Sequence, residues 1–159
     1  IGKILGVDPS TGMTDVGKQK FPEFEFVISE ATEIPLPNEC ADILSISYGI
    51  RNVVRRQEAF SEFARVVKKG GYVVILEFTK DEKKGFFFAL KDFYLNKVLP
   101  ILGGIISKNK EAYEYLPNSI EGFLTPSMLQ KELDVAGFET EFVKSFSMDI
   151  STLVIAKKR

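Results

Sequence analysis

Residues 42–78, DILSISYGIRNVVRRQEAFSEFARVVKKGGYVVILEF, constrain the fold more than any other stretch. Ile43, Leu44 and Ile46 read as a strand. Tyr72 to Phe78 is a nearly unbroken apolar run, the pattern of a parallel strand covered on both faces. Between them Ala59, Phe60, Phe63, Val66 and Val67 recur at helical spacing, and Gln57, Glu58, Glu62, Lys68 and Lys69 take the opposite face. Gly70 and Gly71, which tolerate positive φ, are expected to end the helix. The unit is therefore a βαβ crossover. Ligands of such sheets sit at the carboxyl ends of the strands. Those ends carry Ser47, Tyr48, Gly49, Arg51, Asn52, Glu77 and Thr79.

Length and composition narrow the class. A chain of 159 residues with 45% apolar and 27% charged residues fits one soluble domain with a substantial core. A net charge of -1 offers no basic field for nucleic acid. One cysteine, Cys40, excludes an intrachain disulfide and suits a reducing compartment. With no histidine, no metal site is expected, and proton transfer falls to carboxylate, Lys, Tyr, Arg or water. The chain starts at Ile1 and enters a strand almost at once, so part of a longer polypeptide is expected; no signal peptide is visible.

The remaining elements follow from periodicity and capping. Lys3–Val7 is an apolar strand ending in Asp8. Ser10 or Thr11 can cap a helix from about Met13 to Lys20. Phe24–Ser29 is a second strand that delivers Glu30 and Ala31. Pro35 and Pro37 make residues 33–39 a loop. Residues 85–106 form the most apolar part of the chain and read as helical, with a break before Pro100. Lys91, Asp92 and Lys97 argue against a membrane span, each costing roughly 2.5–3.5 kcal/mol inside a bilayer. A core or lid helix is expected there, or an apolar wall for a lipid-like substrate. Thr125 and Pro126 open a helix running through Ala136, with Met128, Leu129 and Leu133 inward and Gly137 as its stop. Phe138–Phe146 alternates as a half-exposed strand, and Ile150–Ala156 is the last; the two should pair antiparallel at one end of the sheet.

An acid at the end of an apolar strand, followed by a turn and helix, is a nucleoside-binding device. The Asp8 carboxylate can accept both ribose hydroxyl protons, or it can merely serve the helix start. Glu30 can accept from an adenine amino group while the Ala31 N–H donates to the ring, and Ser47 lies across the crevice. Three such strand ends point to an adenosyl cofactor, NAD or S-adenosylmethionine.

The segments GVDPSTGM, SEATEIPLP, SISYGIRNV and RVVKKGGYVVILEF, continued by KDFYLNKVLPILG, EAYEYLPNSI and DVAGFE, resemble the class I S-adenosylmethionine-dependent methyltransferases. Specifically they resemble the ubiquinone/menaquinone biosynthesis C-methyltransferases, over nearly all 159 residues. The resemblance implies an α/β, Rossmann-like sheet with helices on both faces and a C-terminal antiparallel hairpin. It implies S-adenosylmethionine as cofactor, a polyprenyl quinol as substrate, a homodimer, and a cytoplasmic protein with peripheral contact at the inner membrane face. Asp8 would bind the ribose, Glu30 and Ala31 the adenine, and Ser47 the methionine part. Arg51 and Asn52 would face the transferring methyl, with Tyr48 as a further orienting group, and Phe86–Phe88 and Leu95–Ile106 would accept the isoprenoid tail. Lys69 stands where the family usually has proline and Thr79 where it has serine; Glu30 is longer than the usual residue. A methyltransferase with another small or lipid substrate, and a truncated chain that folds without catalysing, are the alternatives.

The larger departure is at the front. Residues 1–159 match one domain's C-terminal portion, without the first strand, its glycine-rich turn and the N-terminal helices. In that fold the strand lies between those ending at Asp8 and Ser47. Without it two strand edges face each other, and each buried unpaired backbone group costs on the order of 1–3 kcal/mol. An altered sheet, exchange with a second copy, or an upstream segment is expected to resolve this.

Overall fold

The computed structural model describes residues 2–80, 118–146 and 149–159. Strand β1 (Leu5–Asp8), helix α1 (Thr11–Lys20) and strand β2 (Glu25–Ile28) form a parallel two-stranded unit, with Asp8 opposite Ile28. Ser10 caps α1, its hydroxyl accepting from the Met13 N–H at 3.3 Å. Strand β3 (Ala41–Ser47), helix α2 (Arg56–Val66), strand β4 (Val67–Phe78), helix α3 (Pro126–Val135), strand β5 (Phe138–Phe146) and strand β6 (Ser151–Lys158) build the rest. Their sheet has the order β3-β4-β6-β5, parallel at β3–β4 and antiparallel at both other pairings. The crossover and the terminal antiparallel pair form as expected.

The junction between α2 and β4 differs from expectation. The helix stops at Val66, and Val67 already pairs with Ala41. The next matched pair is Ile43 with Tyr72, so residues 68–71 bulge out of the ladder. Gly70, at φ 77°, turns the bulge, and a Cβ on Gly71 would stand 2.7 Å from the Asp42 carbonyl oxygen. The two glycines therefore serve a strand bulge rather than a helix end. Residues 39–40 end the helix instead: the Glu39 and Cys40 N–H groups each donate at 2.9 Å, to the Arg65 and Val66 carbonyls.

The core lies where α2 and α3 cover the sheet. Ala59, Phe60, Phe63 and Val66 of α2 meet Val73 and Ile75 of β4, Val154 and Ala156 of β6, and Leu129 and Leu133 of α3. Arg56 joins the two helices through a two-bonded ion pair with Glu132, at 2.8 and 2.9 Å. Thr125 caps α3 and Gly137, at φ 95°, follows its end. Met128 is half exposed, not inward, because the buried stripe of this short helix is only Leu129 and Leu133. A bulge between Thr140 and Phe142 leaves Phe142 and Phe146 exposed on the edge strand, although Phe138 is buried.

β1 and β3 are not paired: they belong to two separate sheets. A cleft of about 1420 Å³ separates them, lined by Leu5 and Val7 on one side and by residues 43–47 on the other. An altered sheet, one of the expected outcomes, is thus not what forms. The loop of residues 29–40 that follows β2 is held in place by α2. The Arg65 guanidinium donates to the carbonyls of Ile34 (2.9 Å) and Leu36 (2.8 Å) and to Asn38 Oδ1 (2.8 Å). Glu62 accepts from the Ile34 N–H at 2.8 Å. The apolar run of residues 85–106 lies outside the described residues; among those described, no helix is long and apolar enough to cross a membrane.

Phe60 is fully buried between the helices and the sheet. Phe60→Ala is expected to lower unfolding free energy by about 3–5 kcal/mol, whereas Val54→Thr, at an exposed position, should change it by less than about 0.5 kcal/mol. Urea unfolding followed by circular dichroism measures both.

Candidate active site

Five of the seven residues expected at the site line the cleft: Asp8, Glu30, Ala31, Ser47 and Asn52. Each lies at, or just past, the carboxyl end of a strand. β1 runs out at Asp8, whose Oδ1 accepts the Ser10 N–H at 2.8 Å and so shapes the turn into α1. Its Oδ2 makes no hydrogen bond among the described residues. The two readings of Asp8 are therefore compatible, one oxygen serving the turn and the other facing the cleft. Past β2, Glu30 is exposed, and its backbone carbonyl accepts the Glu33 N–H at 3.1 Å. The Ala31 N–H has no partner among the described residues. A carboxylate oxygen, a second carboxylate and an open N–H along one wall can hold a group with vicinal hydroxyls and an amino-substituted ring.

Tyr48 and Arg51 lie beside the cleft, over the end of β4. β3 ends in a residue with left-handed backbone, Tyr48 at φ 54°, an uncommon conformation for an aromatic residue. Its N–H bonds the Leu76 carbonyl at 2.8 Å, its ring lies 4.6 Å from that of Phe78, and its hydroxyl meets Ser151 Oγ at 3.3 Å. The chain then makes one 3₁₀ turn, Ile50–Asn52, anchored by the fully buried Ile50. This turn carries Arg51 toward β4 and Asn52 toward the cleft.

The Arg51 side chain is only 8% exposed and forms an ion pair with Glu77, whose carboxylate is completely buried. Glu77 Oε1 accepts from Arg51 Nη1 and from the Phe78 N–H (2.8 Å), and Oε2 accepts from the Arg51 backbone N–H (3.3 Å). Arg51 Nη1 also donates to the Tyr48 carbonyl and Nε to Ser119 Oγ, both at 3.2 Å. The guanidinium lies 5.3 Å from the Phe78 ring centre. Thr79 and Thr152, both buried, bond each other at 2.8 Å below. Glu77 and Thr79 stood at a strand end in the sequence, but period-two burial with Val73 and Ile75 puts both inside. Ser119 lies in the EAYEYLPNSI segment but is not among the expected site residues, and Ser151 carries no sequence signal of its own, being brought in only by the β6 register. The surfaces expected at Phe86–Phe88 and Leu95–Ile106 lie outside the described residues, and among the described residues no cluster of side chains could hold a metal ion.

The wall bearing Glu30 and Ala31 depends on α2. The Arg65 hydrogen bond holds the Glu62 carboxyl below its ordinary value of 4.5; burial opposes this and the Ile34 N–H adds to it. A carboxyl depressed on folding contributes stability above its unfolded value and loses it as pH falls through the folded one. Glu62→Gln is therefore expected to destabilise the protein at neutral pH, with the gap from wild type closing as pH falls below 4.5. Denaturant unfolding measured at several pH values checks this; a gap constant with pH would disprove it.

The chain matches the model of the ubiE/COQ5 methyltransferase family over residues 1–158. It is 61% identical over 155 residues to the ubiquinone/menaquinone biosynthesis C-methyltransferase UbiE of Campylobacter jejuni, covering 98% of this chain and 66% of that protein. It is 32% identical to the demethylmenaquinone methyltransferase of Thermotoga maritima, covering 91% and 63%. The chain thus spans slightly less than two thirds of the length of these curated relatives. Among solved structures, it resembles the [4+2]-cyclase SpnF (TM-score 0.72, 14% identity, 98% and 66% covered). It also resembles a SAM-dependent methyltransferase from Aquifex aeolicus (TM-score 0.68, 16% identity, 99% and 70% covered). At these identities the likeness is one of fold.

Proposed function

Because the chain belongs to the ubiE/COQ5 methyltransferase family, we propose that the whole protein methylates a ring carbon of a polyprenyl quinol, using S-adenosylmethionine. The product would be menaquinol, from demethylmenaquinol, or the corresponding intermediate of ubiquinone synthesis. The observation that carries this reading is the cleft, where Asp8, Glu30, Ala31, Ser47 and Asn52 converge from three strand ends beside Arg51. Asp8 Oδ2 takes the ribose hydroxyls, Glu30 and the Ala31 N–H take the adenine, and Ser47 borders the methionine part. Bound there, the cofactor supplies an electrophilic methyl group on a sulfonium.

The chain's own contribution is orientation and charge. Alignment of two reactants is worth up to roughly 7–11 kcal/mol. Arg51 donates to a quinol oxygen and favours phenolate character at the ring, because its charge is permanent and its fork is planar. Asn52 orients the same oxygen from the cleft side, and the Tyr48 ring, fixed on Phe78, forms the adjoining wall. In this reading residues 1–159 are the C-terminal portion of the catalytic domain, and an upstream strand completes the sheet between β1 and β3. The protein acts as a cytoplasmic homodimer with peripheral contact at the membrane that holds its substrate. The divided sheet favours a second reading for the 159 residues by themselves: they fold without catalysing.

Two measurements on the whole protein test the residue roles. Asp8→Ala is expected to weaken S-adenosylmethionine binding by about 1.5–3 kcal/mol, the scale of a hydrogen bond to a charged group. An unchanged dissociation constant by calorimetry removes the ribose role. Arg51→Lys is expected to keep cofactor affinity and to lower turnover on demethylmenaquinol at least about tenfold, since lysine lacks the planar fork. Wild-type turnover would refute that role, and methyl transfer to demethylmenaquinol by the isolated 159 residues would refute the second reading.

A further inference from the structure

We propose that Glu77 is a positioning residue of this site, acting only through Arg51. The proposal rests on the role given to Arg51 above. An arginine has five N–H donors in one rigid plane. Three of Arg51's are engaged: Nε–H by Ser119 Oγ, and those of Nη1 by Glu77 Oε1 and the Tyr48 carbonyl. These bonds fix the plane of the guanidinium and the direction of its free edge, and Nη2 makes no hydrogen bond among the described residues. Nη2 is therefore the edge that meets a substrate oxygen.

Of the three acceptors only Glu77 carries charge, and it is itself held rigidly. The Phe78 N–H fixes Oε1 and the Arg51 N–H fixes Oε2, so one carboxylate binds both the backbone and the side chain of Arg51. Complete burial excludes a direct chemical role. A general base must reach its proton within about 2.6–3.2 Å, and Glu77 has no exposed atom with which to do so. The pair is also neutral overall, so Arg51 meets its ligand as a directed donor rather than as an uncompensated cation. Thr79 and Thr152 bond each other and are not needed to satisfy the carboxylate.

The test uses the whole protein with tritiated S-adenosylmethionine and demethylmenaquinol. Glu77→Gln is expected to lower kcat about tenfold or more while changing the KM for S-adenosylmethionine less than about threefold. In an Arg51→Lys background the same substitution should change kcat less than about twofold, because the group it positions is already gone. Full turnover in Glu77→Gln, or losses that multiply in the double variant, would overturn the proposal. Should Glu77→Gln fail to fold, Glu77→Asp keeps the charge and shortens the arm; it is expected to show the same split, and wild-type kcat in it would be equally damaging. A readout independent of turnover is hydrogen exchange at the Arg51 Nε–H, followed by nitrogen-15 NMR in the wild type. Protection is expected, and exchange at the rate of free arginine would show that the guanidinium is not held. If the wild type transfers no methyl group, the functional reading falls, and this exchange measurement alone decides whether Arg51 is fixed.

Discussion

A carboxylate removed from water inside a sheet is among the costliest groups a small domain can carry, and the site of this protein is arranged around one. Glu77 sits on the buried face of β4 with Val73 and Ile75, where an unpaired charge would not be tolerated. Its partner must come from a neighbouring element and must be able to donate more than once. Arg51 meets both needs because the 3₁₀ turn after β3 points its backbone N–H and its guanidinium at the same carboxylate. The left-handed backbone at Tyr48 takes the chain out of the β3 ladder and into the 3₁₀ turn that carries Arg51.

The same logic of satisfying charge and backbone together governs the opposite wall. Arg65, in the last turn of α2, is bonded to two loop carbonyls and to Asn38, and is paired with Glu62 on its own helix. Its charge is favourably placed at the negative end of the helix dipole. The loop in turn supplies N–H groups to the helix's last carbonyls. One short helix therefore covers the core and positions the loop that follows Glu30 and Ala31.

Much of this was readable before any coordinates. The apolar run of β4 and Ile43, Leu44 and Ile46 of β3 stood out as strands, and the periodicity of α2 predicted Ala59, Phe60, Phe63 and Val66 as its inner face. Ser10, Thr125 and Gly137 signalled their helix ends by ordinary capping chemistry. Asp8, Glu30, Ala31 and Ser47 were legible as strand-end groups, and the structure brings them to one cleft. The misreadings share a cause: local patterns do not encode long-range pairing. Gly70 and Gly71 looked like a helix stop, but the register of β4 against β3 makes them a bulge. Met128 fitted the helical stripe, yet α3 touches the core along too narrow a line to cover it. The burial of Glu77 follows from period two, but that Arg51 neutralises it, 26 residues earlier, does not.

The division of the sheet follows from the balance between backbone pairing and solvent. A buried strand edge with unpaired groups would cost on the order of 1–3 kcal/mol per group, enough to force β1 and β3 together. Here the edges face an open cleft that water can enter, and Asp42, Ile43, Ser45 and Ser47 of β3 are exposed to it. The backbone groups can therefore be hydrated, and the penalty falls chiefly on apolar side chains such as Ile43, which is 64% exposed. The loop after β2 is meanwhile held to α2 by the Arg65 and Glu62 bonds. A strand entering between β1 and β3 would gain hydrogen bonds on both sides and bury Ile43, while leaving untouched the loop and turn that hold Glu30, Ala31, Arg51 and Asn52.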